Sequence, residues 1–548
     1  MHPPESASQA VTLAQELVER WPYAASATAA IVAGLLAQYL LKPDPLAGFP
    51  IVGKGSVHKR RKYFVSGRAR ELYFEGYRQL YNATNAAFRI TTSRETEVVV
   101  IDPKYAKELA KLPDNFLSFN KAVEETMQEK FTHVSGNGGA YLPHTIKANL
   151  TPALGRLNPV LAKEVRESME LELPQTSEWT EFILSPKLYR IVAMASGRIF
   201  IGAELCRQEE YLDAAINYTI EVMTAVFLIQ MMPTWLRPIL APWIPHVRKL
   251  EKQRQRAKDF LVPIITARRK AAAEDPNYQP PDDMLQWMDD DLTKQQGKRP
   301  TVEDLAIQQL GISFAAIHTT TMTVTNVIYT LASMPELVPV LREDVRQALE
   351  ETDGEFTSLA LQNMKKLDSF MKENLRFYSM SASSFQRKVL QPFQLSNGQV
   401  IPAGVIIELP SCAVNADASV FPDPEKFDPM RYYKLRQSKE GPGGDEADEA
   451  DPDKKVAKLS GAKAAEVTAS SQFVSVSPSS LTFGLGRHAC PGRFFAANEI
   501  KMIMSVMLMH YDIALPEGET ARFPNLTFGH TSAPDPKRLV RMRKLADM

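Results

Sequence analysis

The run Phe483-Gly484-Leu485-Gly486-Arg487-His488-Ala489-Cys490-Pro491-Gly492, followed by a helical stretch from Arg493 to His510, constrains this chain more than any other segment. Two glycines allow a tight backbone loop, and Pro491 can open a helix where its missing amide proton costs nothing. The pattern therefore puts Cys490 at a helix N-terminus. Free amides and partial positive charge there favour the thiolate, which suits a metal ligand or a nucleophile better than an apolar filler. The other cysteines, Cys206 and Cys412, have no such surroundings. Three widely spaced cysteines without a CxxC pair exclude a disulfide framework and a zinc finger, and they point to a reducing compartment.

A chain of 548 residues with 44% apolar side chains has material for a large buried core. Its 64 Lys and Arg balance its 64 Asp and Glu, which argues against a grip on nucleic-acid phosphates. The body is mainly helical in period, with short β-like patches at Phe88–Thr92, Glu97–Ile101, Phe385–Val389 and Val400–Leu409. This predicts a mainly α fold with small β-sheets, an α+β domain. Thr301–Ser333 reads as one long helix, with a capping-box-like start at Thr301 and Asp304 and Pro335 just past its end. Its apolar residues face all ways, so it is expected to be buried. Residues 438–470, with Gly-Pro-Gly-Gly and an acidic run, read as a disordered surface loop, the alternative being a docking site for a basic partner.

Residues 21–41 carry no charge, and as a helix they would reach about 31 Å, the thickness of a bilayer's hydrocarbon layer. Glu5, Glu16, Glu19 and Arg20 precede the stretch; Lys42, Lys54, Lys59, Arg60, Arg61 and Lys62 follow it. The positive-inside rule then gives a lumenal N-terminus at 1–20, a transmembrane anchor at 21–41, a proline-rich tether at 42–53 and a cytosolic body at 54–548. A cleaved signal peptide is the alternative, weakened by the lack of basic charge before the stretch. Sequons at Asn82, Asn149, Asn217 and Asn525 are inert if the body is cytosolic and do not decide between the two.

The loop from Phe483 to Gly492 resembles the haem-binding signature of the cytochrome P-450 superfamily, F-x-x-G-x-R/H-x-C-x-G, at every defining position. The resemblance implies the fold of that family, a haem b whose iron takes Cys490 as its axial thiolate, His488 near a haem propionate, and Phe483 packed beside the sulfur. Further matches occur in the family's order. Glu373 and Arg376 stand in its E-x-x-R, and Arg431 in its F-x-P-x-R (Phe427-Asp428-Pro429-Met430-Arg431), which together imply a structural Glu-Arg-Arg network. Arg387 stands where an arginine often pairs a propionate, and a guanidinium suits a carboxylate through two parallel hydrogen bonds.

Within the long helix, Ala315-Ala316-Ile317-His318-Thr319-Thr320-Thr321 stands where the family has A/G-G-x-D/E-T-T. This implies Thr319 as the proton-delivery hydroxyl and Ala315 and Ala316 at the substrate pocket. Here His318 replaces the usual acid and is the candidate for its catalytic role. The alternative is a buried Thr/His cluster that only satisfies itself. Further pocket residues are implied at Ser381–Ser384 and near Thr527–Ser532. The phrases around His318 and from Arg487 to Lys501 are similar to fungal oxidases of secondary metabolism, including the ent-kaurene oxidase group that acts on terpenoids.

The resemblance thus implies a monooxygenase of the endoplasmic reticulum membrane. It would use dioxygen, and NADPH through a cytochrome P-450 reductase, to oxidise C–H bonds of a large apolar small-molecule substrate. The apolar residues of Val222–Trp243 fit either core or a substrate channel that meets the membrane. Other outcomes on the same fold are desaturation, rearrangement or multi-step oxidation. Readings of another class are a non-catalytic haem-binding sensor and a thiol hydrolase.

Overall fold

The computed structural model describes residues 21, 25–26, 28–31, 33–34, 44–81, 86–134, 141–440 and 470–546. They belong to two units that meet between Pro50 and Ile51. In the first, the described residues of the charge-free stretch are helical and exposed, and Asp44 closes a turn by accepting from the Leu46 amide at 2.9 Å. The rest of the anchor expected at 21–41 lies outside the described residues, as do residues 441–469 of the expected loop. The first residues of that loop, Ser438–Glu440, are instead the last of a helix that begins at Arg431.

In the second unit, α1 (Thr151–Glu172), α2 (Leu184–Phe200), α3 (Glu209–Met231), α4 (Pro245–Glu274), α5 (Val302–Ala332), α6 (Lys365–Phe377) and α7 (Arg493–His510) carry most of the core. Helix α5 is central, packed on α2, α3, α4, α6 and α7. Thr301 caps it by accepting from the Asp304 amide at 3.0 Å, and every residue from Thr320 to Ala332 is buried. Three of its buried threonines satisfy their hydroxyls by bonding back to the preceding turn: Thr323 to the Thr319 carbonyl at 2.8 Å, Thr325 to Thr321 at 2.7 Å, Thr330 to Asn326 at 2.9 Å. Toward its N-terminal half one stripe opens, with Gly311, Ala315 and Thr319 exposed at four-residue spacing. Among the described residues α3 alone is long and apolar enough to cross a membrane, and half of its most apolar window is buried in this unit.

A six-stranded sheet lies beside the helices. Its strands are β1 (Ile51–Val52), β2 (Ala87–Ile90), β3 (Val98–Ile101), β4 (Leu117–Ser118), β5 (Ser384–Val389) and β6 (Ile406–Leu409), in the order β1-β2-β3-β6-β5-β4. Strands β3 and β6 pair in parallel and are buried along their whole length, which explains the unbroken apolar run of β3; the one charge of β6, Glu408, is paired with the buried Arg94 at 3.2 Å. The single strand expected over Val400–Leu409 is two, because Pro402-Ala403-Gly404 turns the chain, with Gly404 at φ +90°. Ile51 and Val52, within the tether expected over 42–53, are instead a strand that pairs with Arg89 and Ile90.

Helix α6 ties these layers together through a buried carboxylate. Arg376 donates to both oxygens of Glu373, at 2.8 and 2.7 Å, and Arg431 Nε reaches the same carboxylate at 3.2 Å. The remaining guanidinium donors are used on backbone carbonyls: Arg376 on Asn415 and Pro424, Arg431 on Pro422 and Lys426. Removing one partner of such a cluster leaves uncompensated charge in the interior. Glu373→Ala is expected to cost about 3–5 kcal/mol, read as a lower urea midpoint of the purified protein.

Candidate active site

The Cys490 loop is shaped by its glycines and closed by one backbone bond. Gly484 and Gly486 adopt φ +75° and +71°, and a Cβ on Gly486 would sit 3.0 Å from the Ala110 methyl, so both backbone and space require glycine there. The Cys490 amide donates to the Phe483 carbonyl at 2.7 Å, folding the loop back on itself. Phe483 meets Phe473 edge-on at 5.6 Å. Helix α7 begins at Arg493 with Gly492 at its cap, so Pro491 belongs to the turn and does not open the helix as expected. The sulfur's environment also differs from the expected one. Burial pushes the Cys490 thiol up, and this outweighs the opposing pull of the Gly492 and Arg493 amides and the Arg493 charge. The helix start alone does not make a thiolate.

Over the sulfur lies a cavity of about 520 Å³, within the range of small-molecule sites. Helix α5 lines it with Thr319, Thr320 and Thr323, α7 with Ala496 and Ile500, and the Cys490 loop with Phe483 and Cys490; β5 supplies one wall from Ser384 to Arg387. That wall is irregular. The β5–β6 register shifts between Ser384 and Arg387, and Phe385 takes φ +55°, a strained value for an aromatic residue that is held by the surrounding sheet. The bulge delivers Arg387, a buried guanidinium lying 5.1 Å from the Phe119 ring centre and 4.2 Å from that of Phe385. Its only hydrogen bond among the described residues goes to the neighbouring Gln386 carbonyl, at 2.8 Å, and no carboxylate pairs with it. Burial accordingly lowers its pKa to about 10.

Buried sulfur on one side, hydroxyls opposite and an acid-seeking guanidinium on the wall form a donor set that fits haem. A cation above Cys490 would offset the burial that keeps the thiol protonated, and a propionate would answer Arg387. The family model for cytochrome P-450 matches residues 62–540. The chain is a cytochrome P-450. It is 40% identical over 450 residues to cytochrome P-450 monooxygenase ATR3 of Stachybotrys chlorohalonatus, covering 82% of this chain and 89% of that one. It is 32% identical to monooxygenase braC of Annulohypoxylon truncatum, over 96% and 98% of the two chains. The fold matches that of the retinoic acid-bound cyanobacterial CYP120A1 with a TM-score of 0.58 at 18% identity, covering 84% of this chain and 92% of that one. The family is one of haem-thiolate enzymes, and this cytochrome P-450 is a monooxygenase by that membership.

The structure separates two neighbours that the sequence paired as catalytic. Thr319 lines the cavity, with its hydroxyl bonded back to the Ala315 carbonyl at 2.8 Å. His318 is not part of that lining: one step of about 100° around α5 turns it toward α2, where its Nδ1 lies 3.1 Å from the Tyr189 hydroxyl. Burial lowers its pKa to about 4, so the imidazole is neutral at physiological pH. Ala315 and Ala316, one turn earlier, also lie outside the lining, Ala315 exposed and Ala316 partly buried. Of the other implied pocket residues, Ser383 and Ser384 face the cavity, whereas Thr527 and Ser532 line a separate groove with Arg70 and Tyr77.

His488 borders the cavity, but its Nε2 is taken by Asp114 at 2.7 Å and its ring stacks on Phe119 at 5.2 Å. Asp114, Phe119 and the Phe385 bulge are site residues that sequence reasoning missed. The first two lie more than 350 positions from the loop they support, and no local pattern marks them. Gly486→Ala should strain the loop both by its positive φ and against Ala110, costing about 1–3 kcal/mol, measurable as a lowered thermal midpoint.

Proposed function

We propose that this cytochrome P-450 binds haem b in the cavity over Cys490 and oxidises a large apolar secondary metabolite of terpenoid type. The observation that carries the reading is the convergence of the Cys490 sulfur, the unpaired buried Arg387 and the Thr319 face on one mostly apolar cavity. Haem there would supply an iron centre that takes up dioxygen and electrons and inserts one oxygen atom into a C–H bond.

The chain's own residues have separate tasks. Cys490 supplies the thiolate, and the amides of Gly492 and Arg493 offset part of its charge. Phe483 shields the sulfur from water. Arg387 binds a propionate, and His488 positions the loop edge through Asp114. Thr319, whose oxygen both donates and accepts, holds a water or the reacting oxygen in line for protonation. Glu373, Arg376 and Arg431 hold the segment beneath. Electrons come from NADPH through a cytochrome P-450 reductase.

The endoplasmic reticulum membrane is the proposed location. The charge-free residues 21–41 with their basic flank support a single anchor whose catalytic domain faces the cytosol. The exposed Trp235, Ile239 and Trp243 beyond α3 support a second, shallow contact through which an apolar substrate arrives from lipid. Terpenoid chemistry rests on the similarity to fungal monooxygenases and on the apolar cavity.

The reduced, carbon monoxide-bound absorption spectrum tests the class: wild type should show the red-shifted band of thiolate ligation, and Cys490→Ala should lose it. A wild-type protein without that band overturns the reading. In the reconstituted system, a panel of terpenes should raise NADPH consumption and yield oxygenated product. Thr319→Ala should keep haem but divert turnover to peroxide, with product per NADPH reduced by about tenfold or more.

A further inference from the structure

A second cavity, of about 690 Å³, shares no lining residue with the one over Cys490 and has no part in the chemistry above. One side is the helix Ala69–Tyr81, which packs Ala69, Leu72 and Tyr73 into the core and turns Arg70, Phe74 and Tyr77 to the cavity, at spacings that share a helix face. The end of α6 adds Phe377 and Tyr378, the chain from the helix Ser411–Asn415 adds Ala416 and Ala418, and the hairpin strands Leu526–Phe528 and Thr531–Ala533 add Thr527 and Ser532. Most polar groups around it are already engaged. Tyr77 donates to Asp417 at 2.9 Å, the Thr527 hydroxyl to the Gly67 carbonyl at 3.2 Å, Asn525 to the Ser532 hydroxyl at 3.3 Å and the Asn415 side chain to the Arg376 carbonyl at 3.1 Å. Arg376 itself is paired with Glu373. Arg70 differs: its partly buried guanidinium has no hydrogen bond or ion pair among the described residues. A guanidinium held beside aromatic side chains without an acid is a cost that a ligand bringing the acid would remove.

The charges decide what that ligand is. Arg70 and Arg78 are balanced around the cavity by Asp417 and Glu425, so a phosphate dianion would meet net repulsion. A single carboxylate matches the unpaired guanidinium of Arg70 through two parallel hydrogen bonds. Phe74, Phe377 and Tyr378 suit an apolar body behind it, and the volume is that of a small-molecule site. The hairpin leads from the cavity to apolar surface, where Leu526 is exposed and Phe528 packs on the exposed Phe227 of α3 at 4.1 Å. Two walls of this cavity also hold a strip of the other one, residues 380–382. From the hairpin, the Ser532 amide donates to the Met380 carbonyl at 2.9 Å and the His530 carbonyl accepts from the Ala382 amide at 2.7 Å. From the helix Ser411–Asn415, the Ser411 hydroxyl donates to the Ser381 carbonyl at 3.2 Å and the Cys412 amide to the Ala382 carbonyl at 3.0 Å. Met380 and the following Ser383 line the cavity over Cys490. We propose that this second cavity is an effector site for an amphiphile with a single carboxylate, bound by Arg70 and felt at the cavity over Cys490 through residues 380–382. The site stands on this geometry alone; its coupling rests on the monooxygenase reading proposed above.

The test titrates dodecanoate, below its micelle concentration, into the full-length, haem-loaded protein whose cavity over Cys490 is filled with saturating phenylimidazole, so that calorimetry reads the second cavity. One equivalent should bind. Dodecanol should bind about tenfold more weakly or worse, and Arg70→Gln should lose a similar factor for dodecanoate while leaving dodecanol unchanged. Ala418→Phe, at an exposed position on the cavity wall, should weaken both ligands by filling the space. The dissociation constant of phenylimidazole, read from the absorption spectrum, should shift by about fivefold or more when dodecanoate is present, and by neither ligand's competition alone, since R70Q and A418F should abolish the shift. Equal affinity for dodecanoate and dodecanol, or wild-type dodecanoate binding in R70Q, overturns the site. Dodecyl phosphate binding about tenfold more tightly than dodecanoate makes it a phosphate site and overturns the carboxylate assignment. Should R70Q fail to hold haem, A418F decides: wild-type dodecanoate binding there is a refutation. Dodecanoate binding with an unchanged phenylimidazole affinity overturns the effector role. A wild type lacking the thiolate-type carbon monoxide band instead fails the functional reading, and the dependence of dodecanoate binding on Arg70 still reads the site.

Discussion

The carboxylate of Glu373 is the point on which the haem-side half of the molecule depends. An ionised carboxyl with no exposed surface is tolerated only when its partners arrive with it, and Arg376 and Arg431 bring their own carbonyl acceptors from residues 415–426. Closing this cluster fixes the irregular chain beyond β6 against α6. The same helix reaches toward the Cys490 loop: Ser369 donates to the Pro429 carbonyl at 2.9 Å, Lys372 to the Ser480 hydroxyl at 2.9 Å, and Asp368 accepts from the Phe473 amide at 3.0 Å. Phe473 in turn packs on Phe483, beside the sulfur. The position of Cys490 is thus set by charge satisfaction one layer away as well as by its own glycines. Lys501 of α7 pairs with Asp368 at 2.7 Å, so the helix that follows the loop is tied to the same support.

On the opposite side of the cavity the limiting problem is polar rather than ionic. Helix α5 must be apolar enough to cross the core and still present hydroxyls to a reacting oxygen. Back-bonding to the preceding turn solves both demands, since the hydroxyls of Thr319, Thr323, Thr325 and Thr330 are satisfied within the helix while their oxygens keep acceptor capacity. Thr319 and Thr323 are the members of that series that line the cavity, whereas Thr325 and Thr330 serve the interior. A buried acid is costly in such surroundings, and Glu499, whose pKa burial pushes up to about 8, is held there by the Ser196 hydroxyl at 2.7 Å.

The wall of the cavity shows the same trade between stability and use. A regular β5 would alternate its side chains strictly, and Arg387 would then follow the pleat. The register shift and the positive φ of Phe385 re-aim that segment, leaving a guanidinium buried between two aromatic rings without an acid. Such strain is found where a site over-determines its backbone.

Much of this was legible in the amino-acid sequence because the signals are local. The cap at Thr301 and Pro335 just past the other end bound α5 to within a residue at each end, and the helix from Arg493 to His510 is where its period puts it. The Cys490 loop is written in ten consecutive residues whose glycines the backbone requires. Periodicity, capping and turn chemistry act over a few residues, so a sequence determines them by itself. Which way His318 points, what engages His488, and what Glu499 touches were decided only when elements far apart in the chain packed together. The partners Tyr189, Asp114 and Ser196 lie 129, 374 and 303 positions away. The protonation of the buried groups belongs to the same level. A helix start favours a thiolate and an imidazole titrates near neutrality, but desolvation by the packed core outweighs both tendencies at Cys490 and His318, and desolvation exists only in the tertiary structure.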